Sequence, residues 1–384
     1  MRTFKTVQPV ARRGNLMPAV AIALFVCGAC LALVLNQYWL SDAQEELRTA
    51  AESAALAGAL RLASDDRLKE DYDSEQVADH VREAVQRQAG LNQVSGPVQA
   101  RVDVHLGKVH IDPLTGYREQ EETDQDPTNV LVVAHRDSRR GNPVGMIAPA
   151  FTGRPAADVR LTAEASICNL ISGLRPVGAG RIPAWPIAIL EFSSDDKVPT
   201  WRSQIEQKGG ADDYCWDADR RTVTLESDGI REITLTLSAG GNACLIDVGP
   251  GFSEDSLERQ FRQGWSSEDL ADLGGEFSLQ QGDNKFPAET DLGDFDPDVL
   301  ERQIGVARIT LLYSGLETDK RGTTATVSRM VGTRLMAVHK IEGQVQLVVQ
   351  PAVIATRTAV IDEDALYSGE TNGNPYIYKI SLTQ

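Results

Sequence analysis

Residues 16–35 form an uninterrupted run of twenty residues without a charged side chain, LMPAVAIALFVCGACLALVL. At about 1.5 Å per residue, a helix of this length covers about 30 Å, which is the thickness of the hydrocarbon core of a bilayer. Tyr38 and Trp39 follow closely, and such aromatic pairs are typical of a membrane–water interface. The run therefore predicts a transmembrane anchor over residues 16–38.

The charges that flank this run differ in sign. Four basic residues and no acidic residue precede it, namely Arg2, Lys5, Arg12 and Arg13. Acidic residues begin soon after it, at Asp42 and Glu45. Because the basic flank of a membrane helix tends to stay in the cytoplasm, residues 1–15 are predicted to be cytoplasmic and the chain beyond the anchor extracytoplasmic.

Three other interpretations of the run fit less well. A cleaved signal peptide has a shorter apolar core and small residues at its exit, whereas this run ends in LNQYWL, residues 35–40. A lipoprotein signal ending at Cys30 would leave Leu31 and further apolar residues behind the modified cysteine. A buried helix of a soluble protein does not account for the charge asymmetry. A single-pass anchor is the preferred interpretation.

The rest of the chain is strongly acidic. The chain has 38 basic and 55 acidic residues, and all the acidic ones come after residue 40. Without the four leading cations, the net charge of −17 becomes −21 for the remainder. Because such a surface repels phosphate backbones, we expect no nucleic-acid partner.

An alanine-rich segment follows the anchor. Residues 41–68 contain no proline and many strong helix formers, with Ser41 as the expected N-cap, within a helical stalk predicted over residues 39–90. Its small-sided stripe comprises Ala43, Leu47, Ala50, Ala51, Ala54, Ala55, Gly58 and Leu62. This stripe either packs on the chain's own domain or forms a seam for a partner helix, including self-association.

The remaining chain predicts an α+β fold with largely antiparallel sheet, in two regions over residues 91–240 and 241–384. Residues 98–106 alternate as a half-buried strand, with a turn expected at Gly107 and a second strand over residues 109–111. Residues 222–238 predict a hairpin with Asp228 and Gly229 at its turn. Residues 119–126 predict a solvated loop, and residues 307–382 a strand-rich end.

Three helix starts are predicted from capping residues. Ser253 is expected to cap a helix that ends near Gln263, and Ser266 with Asp269 has the spacing of a capping box. Pro297 is expected at the first position of a third helix.

Residues 135–142, HRDSRRGN, have the spacing H-R-D-x-x-x-x-N that carries a catalytic Asp and a magnesium-binding Asn in protein kinases. A kinase needs a glycine-rich loop and a strand lysine upstream, and here the membrane segment occupies that part of the chain. No D-F-G follows. We interpret the match as a coincidence.

Other candidates for chemistry are weak. His105 and His110 with Asp112 form a possible metal pair, although exposed strand histidines explain them better. Asp294, Asp296 and Asp298 begin like a calcium loop, but Val299 and Gly305 stand where Gly and Glu are required. No residue is predicted to be catalytic, cofactor-binding or metal-binding, and no enzyme activity is expected.

The five cysteines fall into two groups. Cys27 and Cys30 lie within the apolar run and are interpreted as apolar filler. Cys168, Cys215 and Cys244 lie in the part of the chain that is predicted to be extracytoplasmic. One disulfide can form among them in an oxidising compartment. Any of the three pairings is open, and Cys215 with Cys244 is the preferred one.

Three parts of the chain resemble the TadG-like proteins of Flp/Tad pilus assembly. Residues 12–15, RRGN, before the apolar run, and residues 43–60, AQEELRTAAESAALAGAL, resemble the start of that family. Residues 130–167 resemble its V-x-V-x-A-x-R strand, its G-N-P-V turn and its G-x-x-x-A-D-V helix, which places residues 135–137 at a strand end. Residues 245–279, 300–315 and 345–354 resemble its extracytoplasmic portion.

Two features depart from the family pattern. Prepilin-type processing requires Glu five residues after the cleavage glycine, and Ala19 stands there after Gly14. No D-x-S-x-S metal motif of a von Willebrand A domain occurs.

The resemblance implies a non-enzymatic, single-pass protein of the bacterial inner membrane. It would take part in Flp/Tad pilus assembly or a related envelope machine by contacting other envelope proteins. The alternatives are a membrane-anchored exported hydrolase, with acids such as Asp195 and Asp196, and a calcium-binding adhesion module.

Overall fold

The structure is a computed structural model that describes residues 16–111, 115, 118–279, 284–291, 295–341, 344–368 and 373–383. The side chains of His110, Ile111 and Arg118 lie outside this description. Three predictions therefore fall outside the described residues: the basic segment with RRGN, the metal pair of His110 with Asp112, and the calcium-loop position Asp294.

The described helices include one very long one. The α-helices are α1 (Met17–Leu62), α2 (Ser74–Leu91), α3 (Pro149–Thr152), α4 (Glu254–Gln263), α5 (Asp298–Glu301) and α6 (Glu363–Ser368). Short 3-10 turns cover Asp65–Leu68 and Ala271–Leu273, and a π-helical turn covers Arg202–Glu206.

Most of the remaining chain is strand. The strands are β1 (Arg101–Ile111), β2 (Arg118–Glu122), β3 (Asn129–Arg136), β4 (Val144–Gly145), β5 (Ala156–Ala157), β6 (Val159–Cys168), β7 (Ile171–Leu174), β8 (Ala184–Leu190), β9 (Cys215–Asp217), β10 (Thr222–Thr224), β11 (Ile233–Thr236), β12 (Ala243–Ile246), β13 (Phe277–Ser278), β14 (Lys285–Glu289), β15 (Ala307–Asp319), β16 (Gly322–Ile341), β17 (Gln344–Pro351), β18 (Ile354–Ala355), β19 (Ala359–Ile361) and β20 (Ile377–Thr383).

Two larger sheets organise these strands. One has the order β18-β20-β6-β3-β1-β2, and the other has the order β11-β17-β16-β14-β12-β8-β15. Smaller sheets are β13-β7-β19, β9-β10 and β4-β5. Parallel pairs are β8 with β15 and β18 with β20, whereas the other registered pairs are antiparallel. The predicted α+β class with largely antiparallel sheet is confirmed.

The second large sheet closes on itself. β15 pairs with β8 on one side and with β16 on the other, so β16, β14, β12, β8 and β15 form a ring of hydrogen-bonded strands. Closure leaves no unpaired edge within the ring. Large side chains that are fully buried in this part of the chain include Trp185, Phe261, Trp265 and Phe277.

The chain forms two compact units. The smaller unit, as described, comprises residues 16–51, 89–103 and 133–162. The larger unit comprises residues 52–88, 104–132 and 163–384, and it contains the strand ring and its core.

The predicted anchor and the alanine-rich segment form one continuous helix, α1. Ser41 is an interior residue of α1, so its predicted role as an N-cap is wrong. The helix also ends at Leu62, earlier than expected, and the polar residues that follow form the 3-10 turn Asp65–Leu68. The structure thus has one long apolar helix near its N-terminus.

One face of the alanine-rich half of α1 is buried within the chain. Its stripe of Ala43, Leu47, Ala50, Ala51, Ala54, Ala55 and Leu62 has an exposure of at most 1%. At Gly58, an added Cβ would lie 2.7 Å from Val85 and 2.9 Å from Val130. The stripe therefore packs on its own protein, and the alternative of a free seam for a partner helix is wrong.

Three strand predictions differ from the structure. β1 continues through Gly107 without a turn, because a glycine there lets the backbone of Glu121 approach closely. The expected loop over residues 119–126 contains most of β2. Residues 222–238 form no hairpin, since β10 pairs with β9 and β11 pairs with β17.

Local capping signals were more reliable. Ser253 caps α4 by accepting a hydrogen bond from the N–H of Ser256. Ser266 and Asp269 form the predicted reciprocal pair, although only a 3-10 turn follows. Pro297 directly precedes α5 instead of being its first residue. The expected G-x-x-x-A-D-V helix is wrong, because residues 156–157 and 159–168 are strands.

Candidate functional site

The first half of α1 is an exposed apolar surface. Its large apolar side chains are 45% to 76% exposed: Leu16, Met17, Val20, Ile22, Leu24, Phe25, Val26, Leu31, Leu33, Val34 and Leu35. By length and composition this helix can cross a membrane, and only 6% of its most apolar stretch is buried. Apolar surface of this extent is typical of a membrane or protein contact site.

A short hairpin lies beside this helix within the smaller unit. We call residues 138–158 the arm. Its strands β4 and β5 pair through Val144 with Ala157 and through Gly145 with Ala156. The single turn of α3 lies between them, and Gly153 ends that turn in a left-handed conformation (φ 68°). The arm thus has a paired base and a short helical tip.

Polar side chains of α1 hold the arm. The amide of buried Asn36 forms two hydrogen bonds with Ala148, donating to its carbonyl at 3.3 Å and accepting from its N–H at 2.9 Å. The indole N–H of Trp39 donates to the carbonyl of Gly145 at 2.9 Å. Further toward the N-terminus of α1, the ring centroids of Phe25 and Phe151 are 6.1 Å apart. The arm therefore follows the helix into its apolar half.

The base of the arm is held by residues at the end of β3. The buried guanidinium of Arg136 donates to the carbonyls of Val94, Asn142 (2.6 Å) and Pro143 (3.2 Å). Burial lowers the pKa of Arg136 from its ordinary value. At the other side, the N–H and hydroxyl of Ser138 both donate to Asp158 Oδ1 at 2.8 Å. These contacts fix both ends of the arm.

A charged cleft of about 640 Å³ lies next to that base. His135 Nε2 is 3.0 Å from Asp103 Oδ2, and His135 Nδ1 is 3.4 Å from Asp137 Oδ2. Arg140 bridges the same two carboxylates, at 2.5 Å from Asp103 and 3.1 Å from Asp137. The backbone N–H of Arg140, together with its guanidinium, lowers the pKa of Asp137. The polar groups of these four side chains are therefore paired with one another.

The kinase-like spacing has a structural explanation. Arg136 binds three carbonyls, and His135 lies between two carboxylates. Asn142 closes the turn, because its N–H donates to the carbonyl of Asp137 (3.1 Å) and its Oδ1 accepts from the N–H of Asp137 (3.2 Å). The predicted strand end and turn at residues 135–143 are confirmed.

The other candidate residues lie apart from this site. Asp195 and Asp196 are exposed, and Asp195 Oδ1 accepts the N–H of Lys197 within a local turn. His105 pairs with Glu122 across β1 and β2, at 2.8 Å. Asp298 pairs with Lys340 at 2.6 Å. Across the described ranges, no group of three or more His, Cys, Asp or Glu is arranged to hold a metal ion.

The preferred disulfide is wrong. Cys215 and Cys244 are separate free thiols, as are Cys27, Cys30 and Cys168. Cys244 is buried in β12, and burial raises its pKa to about 12. A thiol in such surroundings is inert, because the thiolate is the reactive form.

Sequence reasoning missed the arm as a functional element. The signal was present, since residues 141–153 carry no charge between Arg140 and Arg154 and include the apolar stretch MIAPAF. Its contact with α1 had no local signal, because Asn36 and Ala148 are 112 positions apart.

Comparison with known proteins gives no further assignment: no family model, no curated protein and no solved structure matches this chain.

Proposed function

We propose that this chain is a membrane-anchored, non-enzymatic component of Flp/Tad pilus assembly or of a related envelope machine, acting through contacts with other envelope proteins. The observation that carries the anchoring part is the change of environment along α1. Its first half exposes its apolar side chains, whereas the small-sided stripe of its second half is buried in the protein.

Lipid is the solvent that such a helix requires. Burying one large aliphatic or aromatic side chain is worth about 1.5–3 kcal/mol. Eleven such side chains are exposed over residues 16–35, so transfer into a bilayer stabilises the protein by more than about 10 kcal/mol. A helix satisfies its own backbone hydrogen bonds, which a lipid environment demands.

The direction of insertion follows from the charges. The four cations before the helix favour a cytoplasmic N-terminus, so the acidic remainder lies outside the inner membrane. The alanine-rich half of α1 continues directly from the span, since α1 has no break between residues 17 and 62.

The assignment to pilus assembly rests on sequence resemblance. It is supported by residues 12–15, 43–60 and 130–167, which resemble TadG-like proteins in the order that the family has them. The charged cleft fits a structural role in this proposal, because its histidine, carboxylates and Arg140 are already paired with one another.

A complementation experiment tests the assembly role. In the native bacterium, deletion of the gene should abolish surface pili seen by electron microscopy, and the full-length chain should restore them. A Leu24→Asp, Phe25→Asp double variant should not restore them, because two carboxylates in mid-span oppose insertion. The same double substitution at exposed Leu225 and Leu382 is the matched control and should restore them. Unchanged piliation in the deletion strain contradicts the proposal.

A further inference from the structure

We propose that the tip of the arm, residues 146–153, inserts into the lipid leaflet on the side of the folded units, beside the anchor helix. This inference rests on the proposed anchoring by residues 16–35. It gives the protein a second membrane contact, made by a different part of the chain.

The first argument is depth. Phe25 lies near the middle of residues 16–35 and eleven positions before Asn36, which is about 16 Å of helix. Phe151 reaches from the arm to the ring of Phe25, with centroids 6.1 Å apart. If residues 16–35 cross the hydrocarbon core, the ring of Phe151 lies within that core as well.

The second argument is the chemistry of the tip. No charged residue occurs between Arg140 and Arg154, and Ile147 and Phe151 are exposed by 55% and 46%. Exposed apolar side chains on a short turn are unfavourable in water, and their transfer into lipid is favourable.

The third argument is the satisfaction of the backbone. A polar backbone group without a partner costs several kcal/mol in lipid. At the tip, Asn36 pairs with both the N–H and the carbonyl of Ala148, and the N–H of Gly153 donates to the carbonyl of Pro149 at 2.9 Å. Proline at position 149 removes a further donor. The tip therefore enters lipid with few unpaired donors.

The charges at the base of the arm complement this placement. Arg139, next to Arg140, and Arg154, directly after the uncharged stretch, are both exposed. Juxtamembrane arginines attract anionic lipid headgroups. A lipid leaflet offers apolar chains to the tip and phosphates to the base, which a protein partner need not do.

Site-specific photocrosslinking tests the inference. p-Benzoylphenylalanine is placed singly at position 25, 147, 151 or 192 of the full-length protein, which is reconstituted into vesicles of phosphatidylcholine and phosphatidylglycerol that carry a fluorescent lipid. Phe192 is the matched control, because it is a phenylalanine with 45% exposure outside the arm. Position 25 reports on the anchor itself. Position 147 is a second site in the tip, so a result caused only by the probe at position 151 would not be repeated there.

The expected result is a lipid adduct at positions 25, 147 and 151 in several-fold excess over position 192. If position 25 is labelled and positions 147 and 151 give no more lipid adduct than position 192, the arm is outside the leaflet and the anchor stands. An adduct from position 151 to a second copy of the chain in place of lipid also overturns the inference. If position 25 forms no lipid adduct, both the anchor and the inserted arm are refuted.

Discussion

Gly58 and Gly28 occupy the same helix in opposite environments. An added Cβ at Gly58 would meet Val85 and Val130 within 3 Å, whereas nothing lies within 4 Å of Gly28. A methyl group at a tightly packed position costs about 1–3 kcal/mol, partly offset by a gain of about 1 kcal/mol in helix propensity. The close packing of α1 on α2 and β3 thus depends on a missing side chain.

We predict that Gly58→Ala lowers the free energy of unfolding by about 1–2 kcal/mol, because the added methyl overpacks the contact with Val85 and Val130. Gly28→Ala should not lower it and can raise it by up to about 1 kcal/mol, because no neighbour opposes the gain in helix propensity there. Denaturant unfolding of the full-length protein in mild detergent measures both. Equal stability of the two variants would show that the close packing at Gly58 is not present in solution.

Asp269 is a second residue with a strong local effect. It is only 1% exposed and accepts hydrogen bonds from Arg259 (2.8 Å) and from the N–H of Ser266 (2.7 Å). Burial alone would raise the pKa of this carboxyl, but these hydrogen bonds lower it below its ordinary value of 3.8. Because the pKa is lowered in the folded state, the carboxylate stabilises the fold at pH values above the unfolded pKa of about 3.9. This stabilisation is lost as the pH falls through the folded pKa.

Asp269→Asn should therefore destabilise the protein by about 2 kcal/mol at neutral pH, since charged hydrogen bonds are lost. The difference from the wild type should shrink as the pH falls below about 4. Asp298→Asn is the control, because Asp298 also has a lowered pKa, owing to Lys340, but lies exposed. Thermal unfolding across pH measures this, and a difference that does not change with pH contradicts the assignment.

At the scale of elements, one amide of α1 pairs with the backbone at the tip of the arm. Asn36 is buried and is the residue that pairs with both polar groups of Ala148, while its neighbour Gln37 is exposed. Each hydrogen bond of this kind contributes about 0.5–1.5 kcal/mol. The position of the arm beside the helix is thus stabilised locally and is separable from the helix itself.

Asn36→Leu should release the arm without removing the anchor, because leucine keeps the apolar character of the span but cannot pair with Ala148. We expect faster amide hydrogen exchange over residues 146–153, measured by mass spectrometry, by a factor of about 10 for a loss of about 1.4 kcal/mol. Gln37→Leu, next to it, should leave that exchange unchanged. Unaltered exchange in Asn36→Leu would mean that other contacts hold the arm.

The elements that the sequence predicted well are those whose cause is local. The apolar run, the Ser253 cap and the Ser266–Asp269 pair depend on residues a few positions apart, and the structure contains all three. The expected hairpin over residues 222–238 failed because β10 and β11 each pair with another strand. The continuity of β1 at Gly107 likewise depends on β2, which the sequence indicated as a loop.

The candidate site was only half predictable for the same reason. Residues 16–35 show their apolar character directly. The arm requires Asn36 to meet Ala148 and Arg136 to meet Val94, over separations of 112 and 42 positions. Sequence periodicity carries no information about such contacts. The apolar run was therefore predictable from the sequence, and the contacts of the arm were not.

At the scale of the whole molecule, one helix has two environments. The apolar first half of α1 exposes its side chains, and the alanine-rich second half buries one face in the protein. The proposed anchoring rests on this contrast, because lipid is the environment that would stabilise the exposed apolar half of the helix.

Membrane extraction tests this account most directly. Membranes of cells that produce the full-length chain are washed with alkaline carbonate, which removes peripheral proteins, and pellet and supernatant are compared by immunoblotting. The account predicts that the protein stays in the pellet and that the Leu24→Asp, Phe25→Asp variant moves toward the supernatant. Recovery of the full-length wild-type chain in the carbonate supernatant would contradict it.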